Sequence, residues 1–212
     1  MGPGGPTTYA TEAASRAIAL QDGSQIVLAP HSRLEIADGE RRIALSGAAW
    51  FDISHRPSRN LAITAGDLEL RDIGTRFDVQ ETGGQVRVAV AEGHVRVASA
   101  AFDRPIDLSG GRGLTYDPRG GAVTVRDVRS EDAGAWRSGR LTYDAAPLVL
   151  VAADLARYTG VQVVVDKTLQ DRMFSGTLIV GNGEAALRDL AQLMGLGLVG
   201  SNGAYRVTAQ PG

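Results

Sequence analysis

The chain has 212 residues, 43% hydrophobic and 22% charged, with 22 basic residues against 24 acidic for a net charge of −2, and no cysteine. That length buries one large core or two small ones, and the composition is that of a folded globular chain. The charge balance excludes the broad basic surface that duplex nucleic acid needs, and the missing cysteine excludes disulfides, thiolate metal sites and cysteine nucleophiles.

Met1 to Pro6 lacks the basic and apolar regions of a signal peptide, so residues 1–8 read as a disordered leader or an expression scar. Residues 9–128 read as an all-β unit. Apolar residues alternate in Arg33-Leu-Glu-Ile-Ala37, Asp67-Leu-Glu-Leu-Arg71, Gln85-Val-Arg-Val-Ala-Val90 and His94-Val-Arg-Val-Ala98, which buries one face of each strand and wets the other. Turn signals recur between them at Asp22-Gly23, Asp38-Gly39, Ala65-Gly66, Ile73-Gly74, Gly83-Gly84, Glu92-Gly93 and Gly120-Gly121. A sandwich, a barrel and a solenoid all fit this pattern.

Residues 129–138 read as a connector that opens on the polar stretch Arg129 to Gly134. Beyond it the period changes to that of a helix. Leu148, Val151, Leu155 and Tyr158 form one helical stripe over Pro147 to Tyr158, with Gly160 as the stop. Leu187, Leu190, Ala191 and Met194 form a second over Glu184 to Met194, with Gly195 as the stop. Short strands follow each helix, at Val161 to Val165 and Leu196 to Val199, and a last strand runs from Ala204 to Thr208. The stretch from Asp154 to Val163 aligns with that from Asp189 to Leu198, and Thr142 falls on Thr177, an offset of 35 residues throughout. Residues 139–209 therefore read as a duplicated strand–helix–strand module. No run approaches the roughly 20 apolar residues of a membrane-spanning helix; the most apolar, Ala145 to Ala153, stops at Asp154. The fold class is mainly β with a small α+β C-terminal module.

Little of the chain points to chemistry. Strand alternation places Glu92 and His94 on one face, which without a third ligand is no metal site. Gly181-Asn-Gly183-Glu-Ala-Ala186 has the spacing of a dinucleotide loop, but no acidic residue follows Asp189 to hold a ribose, so a tight strand-to-helix turn is expected. Gly110-Gly-Arg-Gly113 leads into a strand and reads as a loop. The acid pairs Asp67 with Glu69 and Glu35 with Asp38 could serve a glycosidase only across a cleft, and alternation puts them on a wet sheet face. Trp50, Phe51 and Phe77 occupy apolar strand positions and are expected in the core. Trp136, beside the connector, is expected to pin the two modules together or to lie on a partner surface. The reading is of a protein with no catalytic residue, metal or cofactor; a glycan-binding β-module is the alternative, and it would need a line of exposed aromatics, which Tyr9, Phe102 and Tyr116 do not evidently make.

Several motifs in a fixed order carry a resemblance: Leu20-x-Asp22-Gly23-Ser24-x-x-Val27-Leu28, Gly47-Ala-Ala-Trp50-Phe51-Asp52-Ile53-x-His55, Gly74-Thr75-Arg76-Phe77-Asp78-Val79 and Val88-x-Val90-x-Glu92-Gly93-x-Val95-x-Val97. Trp136, Gly139-x-Leu141, Pro147-Leu148, Leu155-Ala-Arg-Tyr158 and Phe174-Ser-Gly176 continue it. Together they resemble the periplasmic region of FecR-type transmembrane sigma-factor regulators, with a departure at Asn60-Leu61, where the family usually has Pro-Phe after the turn at Pro57. The C-terminal module is similar to the short signalling domain of secretins and TonB-dependent receptors. The resemblance implies a receiving module in the periplasm, not an enzyme. Its partner would be the N-terminal signalling domain of a TonB-dependent outer-membrane receptor, typically for iron–siderophore, and its output an extracytoplasmic-function sigma factor held by a cytoplasmic segment. The membrane helix and that segment are not among these residues. Sheet-edge docking is expected to use Trp136, Arg140, Leu141, Tyr143, Tyr205 and Val207, with strand Arg140 to Asp144 as the edge.

Overall fold

The computed structural model describes residues 5–54, 61–72 and 74–210, so His55, Pro57, Asn60 and Ile73 of the motifs above lie outside the described residues. The chain divides into two compact units, Met1–Gly134 and Ala135–Gly212. Among the described residues no helix is long and apolar enough to cross a membrane.

The first unit is all strand: β1 (Thr7–Ala10), β2 (Arg16–Ala19), β3 (Gln25–Leu28), β4 (Arg33–Ala37), β5 (Arg42–Ser46), β6 (Ala48–Asp52), β7 (Leu61–Ala65), β8 (Leu68–Asp72), β9 (Arg76–Thr82), β10 (Gln85–Glu92), β11 (His94–Ala98), β12 (Ile106–Ser109), β13 (Arg112–Asp117) and β14 (Ala122–Asp127). They form two seven-stranded sheets, ordered β1-β4-β5-β7-β8-β11-β12 and β14-β13-β10-β9-β6-β3-β2. Burial alternates residue by residue in β5 and β10, as the period-two pattern requires. Their inward side chains meet in one core, with Leu34, Ile43, Leu70 and Val97 from one sheet and Ile26, Phe51, Phe77 and Val88 from the other. Phe51 and Phe77 face each other across β6 and β9, their rings stacked 5.0 Å apart.

Because the chain passes repeatedly from sheet to sheet, neighbours in sequence part company. β10 belongs to one sheet and β11 to the other, so the turn at Gly93 separates Glu92 from His94 instead of leaving them on one face. Glu92 accepts from Arg76 at 3.1 Å, and His94 lies opposite Ser109 on β12. The Asp22-Gly23-Ser24 motif builds a turn: the Ser24 N–H donates to Asp22 Oδ1 at 2.9 Å, and buried Ser24 Oγ accepts the Ser54 N–H at 3.0 Å. Thr7 is already paired with Ile36. At the other end of the unit Arg129 bonds Asp132 at 2.8 Å, and Ala133 and Gly134 are buried.

The second unit opens with a 3-10 turn, Ala135–Ser138, followed by β15 (Arg140–Pro147), α1 (Leu148–Thr159), β16 (Gln162–Val165), a second 3-10 turn (Lys167–Leu169), β17 (Met173–Ile179), α2 (Gly183–Met194), β18 (Leu196–Ser201) and β19 (Ala204–Ala209). The duplication is visible in space. Both helices have 12 residues, and both end in a left-handed glycine, Gly160 and Gly195. Asn182 caps α2, its Oδ1 accepting the Ala185 N–H at 3.1 Å. A Cβ on Gly183 would sit 2.5 Å from Val161 Cγ2, so glycine lets α2 begin against the end of α1. Capping and close approach thus account for the glycine spacing there.

The two helices bury Leu148, Val151 and Leu155 on α1 and Leu187, Leu190 and Ala191 on α2. β15 pairs antiparallel with β17 so that Thr142 stands opposite its repeat partner Thr177, their hydroxyls 3.1 Å apart. The other sheet has the order β16-β19-β18, with β19 parallel to β16 and antiparallel to β18.

Candidate docking surface

The six residues expected to make partner contacts lie on three elements of the second unit, and most face inward. Trp136, in the 3-10 turn, is 6% exposed and stacks on Tyr158 at 5.4 Å. Leu141 and Tyr143, alternate residues of β15, are buried, and the Tyr143 hydroxyl donates to the buried Asp154 carboxylate at 3.1 Å. Tyr205 and Val207 are buried on β19, which is the middle strand of its sheet and has a neighbour on both sides. Only the Arg140 side chain, at the start of β15, is half-exposed. The face behind these side chains holds the unit together, while their outward neighbours meet water.

Elsewhere the second unit exposes apolar side chains. Among the described residues six large aliphatic side chains are exposed, Val149, Val164, Met173, Ile179, Leu193 and Val199, and all six belong to the second unit. Val164 on β16 and Val199 on β18 flank Arg206 of β19 in a single row across the three-stranded sheet. Val164 is 53% exposed and Val199 62%, and Arg206 is held at 3.0 Å by Asp166. Met173 and Ile179, 57% and 63% exposed, sit at the two ends of β17. A signal for the valines was present in the sequence. Gln162-Val-Val-Val165 is apolar without alternation, so in a sheet with one wet face at least one of those valines must meet water.

On the buried face of the same sheet Tyr205 neighbours α2. A hydrogen bond to the Glu184 carboxylate, aided by burial, holds the Tyr205 phenol above its usual range. In an alkaline absorbance titration Tyr205 is expected to ionise above the ordinary tyrosine range, identified by its loss in Tyr205→Phe, and Glu184→Ala should bring it back down.

Aromatic side chains offer no sugar-binding platform. All eleven, two Trp, five Tyr and four Phe, are buried or half-buried. Tyr116 is buried edge-to-face against Phe102 at 5.2 Å, and Tyr9 lies under the Arg16 guanidinium at 5.0 Å. One member of each acid pair is drawn into an ion pair with an arginine, Glu69 with Arg71 at 2.7 Å and Asp38 with Arg42 at 2.5 Å. Among the described residues no group of three His, Asp or Glu side chains is placed to hold a metal ion.

What these residues build is a two-unit β-rich chain that exposes apolar side chains on the faces and edges of its smaller unit. The family model for FecR protein matches residues 7–96, and over that stretch the chain resembles the FecR family. Two crystal structures of a candidate anti-sigma factor from Parabacteroides distasonis, at 1.65 and 2.50 Å resolution, share the fold. Each has a TM-score of 0.88 at 17% identity, covering 97% of this chain and 100% of its own. No curated protein matches the chain by sequence.

Proposed function

We propose that this chain is the signal-receiving region of a cell-surface-signalling sigma-factor regulator, located in the periplasm. Its second unit binds the N-terminal signalling domain of a TonB-dependent outer-membrane transducer of the iron–siderophore type. That contact controls an extracytoplasmic-function sigma factor held by a cytoplasmic segment outside these residues. The FecR match and the likeness to a candidate anti-sigma factor support the regulatory role. The observation that carries the docking assignment is that, among the described residues, the exposed large aliphatic side chains all lie in the second unit, since apolar surface left in water marks interaction sites.

The row Val164–Arg206–Val199 forms the centre of the contact, because arginine among apolar groups suits the desolvated middle of an interface. Leu141, Tyr143, Tyr205, Val207 and Trp136 act from beneath by fixing the sheets, and Arg140 lies at the rim. In titration calorimetry against the purified signalling domains of the host's receptors, one domain should bind this chain. Val164→Asp or Val199→Asp should weaken that binding about tenfold or more, and Arg140→Glu only a few-fold. Absence of binding to every such domain well above micromolar concentration would overturn the assignment.

A further inference from the structure

The two-stranded sheet has a feature that transducer docking on the other sheet does not use. Strand β17, Met173-Phe-Ser-Gly-Thr-Leu-Ile179, is an edge strand of seven residues without a charge or a proline. Natural edge strands are usually blunted by such residues. Its wet face carries Met173, Ser175, Thr177 and Ile179, all exposed, while Phe174 and Leu178 are buried. The Val180 N–H donates to the Gly139 carbonyl at 2.8 Å. By antiparallel alternation Leu178 and Gly176 therefore bond toward β15, and the backbone groups of Ser175, Thr177 and Ile179 point along the opposite edge.

We infer that β17 pairs with β17 of a second copy of this chain, making a four-stranded sheet across a two-fold axis. The occupant follows from what the strand already does. Its partner within the chain, β15, is the first repeat of the same duplicated element, and the two meet antiparallel with equivalent residues Thr142 and Thr177 face to face. This is a strand whose own repeat is its pairing partner. The outward backbone groups set the parity of pairing with the copy, and matching of the wet side chains selects the register: Ser175 opposite Thr177, Met173 opposite Ile179, and Gly176 opposite Gly176 at the axis, where antiparallel backbones come closest. Hydroxyl meets hydroxyl and aliphatic meets aliphatic at every wet position, and with no charge on the strand a copy meets no repulsion. The pairing uses a different sheet from the proposed transducer contact and does not depend on it.

Because the chain has no cysteine, one introduced thiol can cross-link only between chains. Thr177→Cys in the full chain, treated with a short bis-maleimide, should give covalent dimer, whereas Val199→Cys on the other sheet should not. In sedimentation velocity the unaltered chain should show a concentration-dependent dimer, and Ile179→Glu should raise its dissociation constant about tenfold or more with the far-UV circular dichroism unchanged. A monomer at all concentrations up to several hundred micromolar, equal cross-linking at both positions, or a dimer indifferent to Ile179→Glu would each overturn the inference. A transducer strand on this edge in place of a second copy would appear as a monomer that dimerises with no copy of itself, and would overturn it too.

Discussion

Phe77→Ala is expected to lower the stability of the first unit by about 3–5 kcal/mol, the usual cost of truncating a fully buried phenylalanine. Phe77 has no exposed surface and stacks on Phe51, its cross-strand partner, with ring planes 13° apart. The change removes that ring pair and leaves a void between two sheets that are each tied to several neighbours. Strands joined on both sides cannot close inward over a missing ring, which places the cost at the upper part of the range. Each unit contains one tryptophan, Trp50 in the first and Trp136 in the second. Urea unfolding followed by fluorescence in a Trp136→Phe background therefore reports the first unit alone, without assuming that both units melt together. Thr64→Ser, at an exposed position of β7 in the same unit, is the comparison and should stay within about 0.5 kcal/mol. A loss below about 1.5 kcal/mol for Phe77→Ala would mean the two sheets pack less tightly than described.

Local order was legible where one face of an element is wet. Alternation located the strands around Leu34, Leu70, Val88 and Val97, and the helical stripes located α1 and α2 to within a residue or two at each end. The 35-residue offset made Thr142 and Thr177 equivalent positions of the repeat, but that these two strands pair with each other was not legible. Strand order was not legible, because it is set by contacts between distant residues: β5 lies parallel to β7, and β1 pairs with β4 across two intervening strands of the chain. The same non-locality separated Glu92 from His94, since a turn that changes sheets cancels the parity rule. At the candidate site the difficulty was different. Leu141 with Tyr143 and Tyr205 with Val207 share faces as alternation requires, but being the apolar members of strands with polar neighbours, they line the inner face. The exposed valines come from runs that do not alternate, where parity alone cannot say which residue meets water.

Gly134→Ala should cost the first unit about 2–5 kcal/mol, from a backbone and a packing contribution of similar size. Gly134 has φ +68°, a left-handed conformation that a Cβ disfavours by about 1–2 kcal/mol. The Cβ would also lie 2.5 Å from Trp50 Cε3 and 3.1 Å from Cδ2, so the indole must move. Trp50 is only 6% exposed on β6, held between β3 and β9, and shifting a packed side chain of that size costs about 1–3 kcal/mol. The displacement has its own signature: in the Trp136→Phe background the emission of Trp50 should shift to longer wavelength before any denaturant is added. Gly120→Ala is the control, since nothing lies within 4 Å of a Cβ there and its φ is not positive; it should be neutral or stabilise by about 0.4–1 kcal/mol through the unfolded chain. If Gly134→Ala matched Gly120→Ala in both stability and emission, the close approach of the chain to the Trp50 ring would not exist in solution.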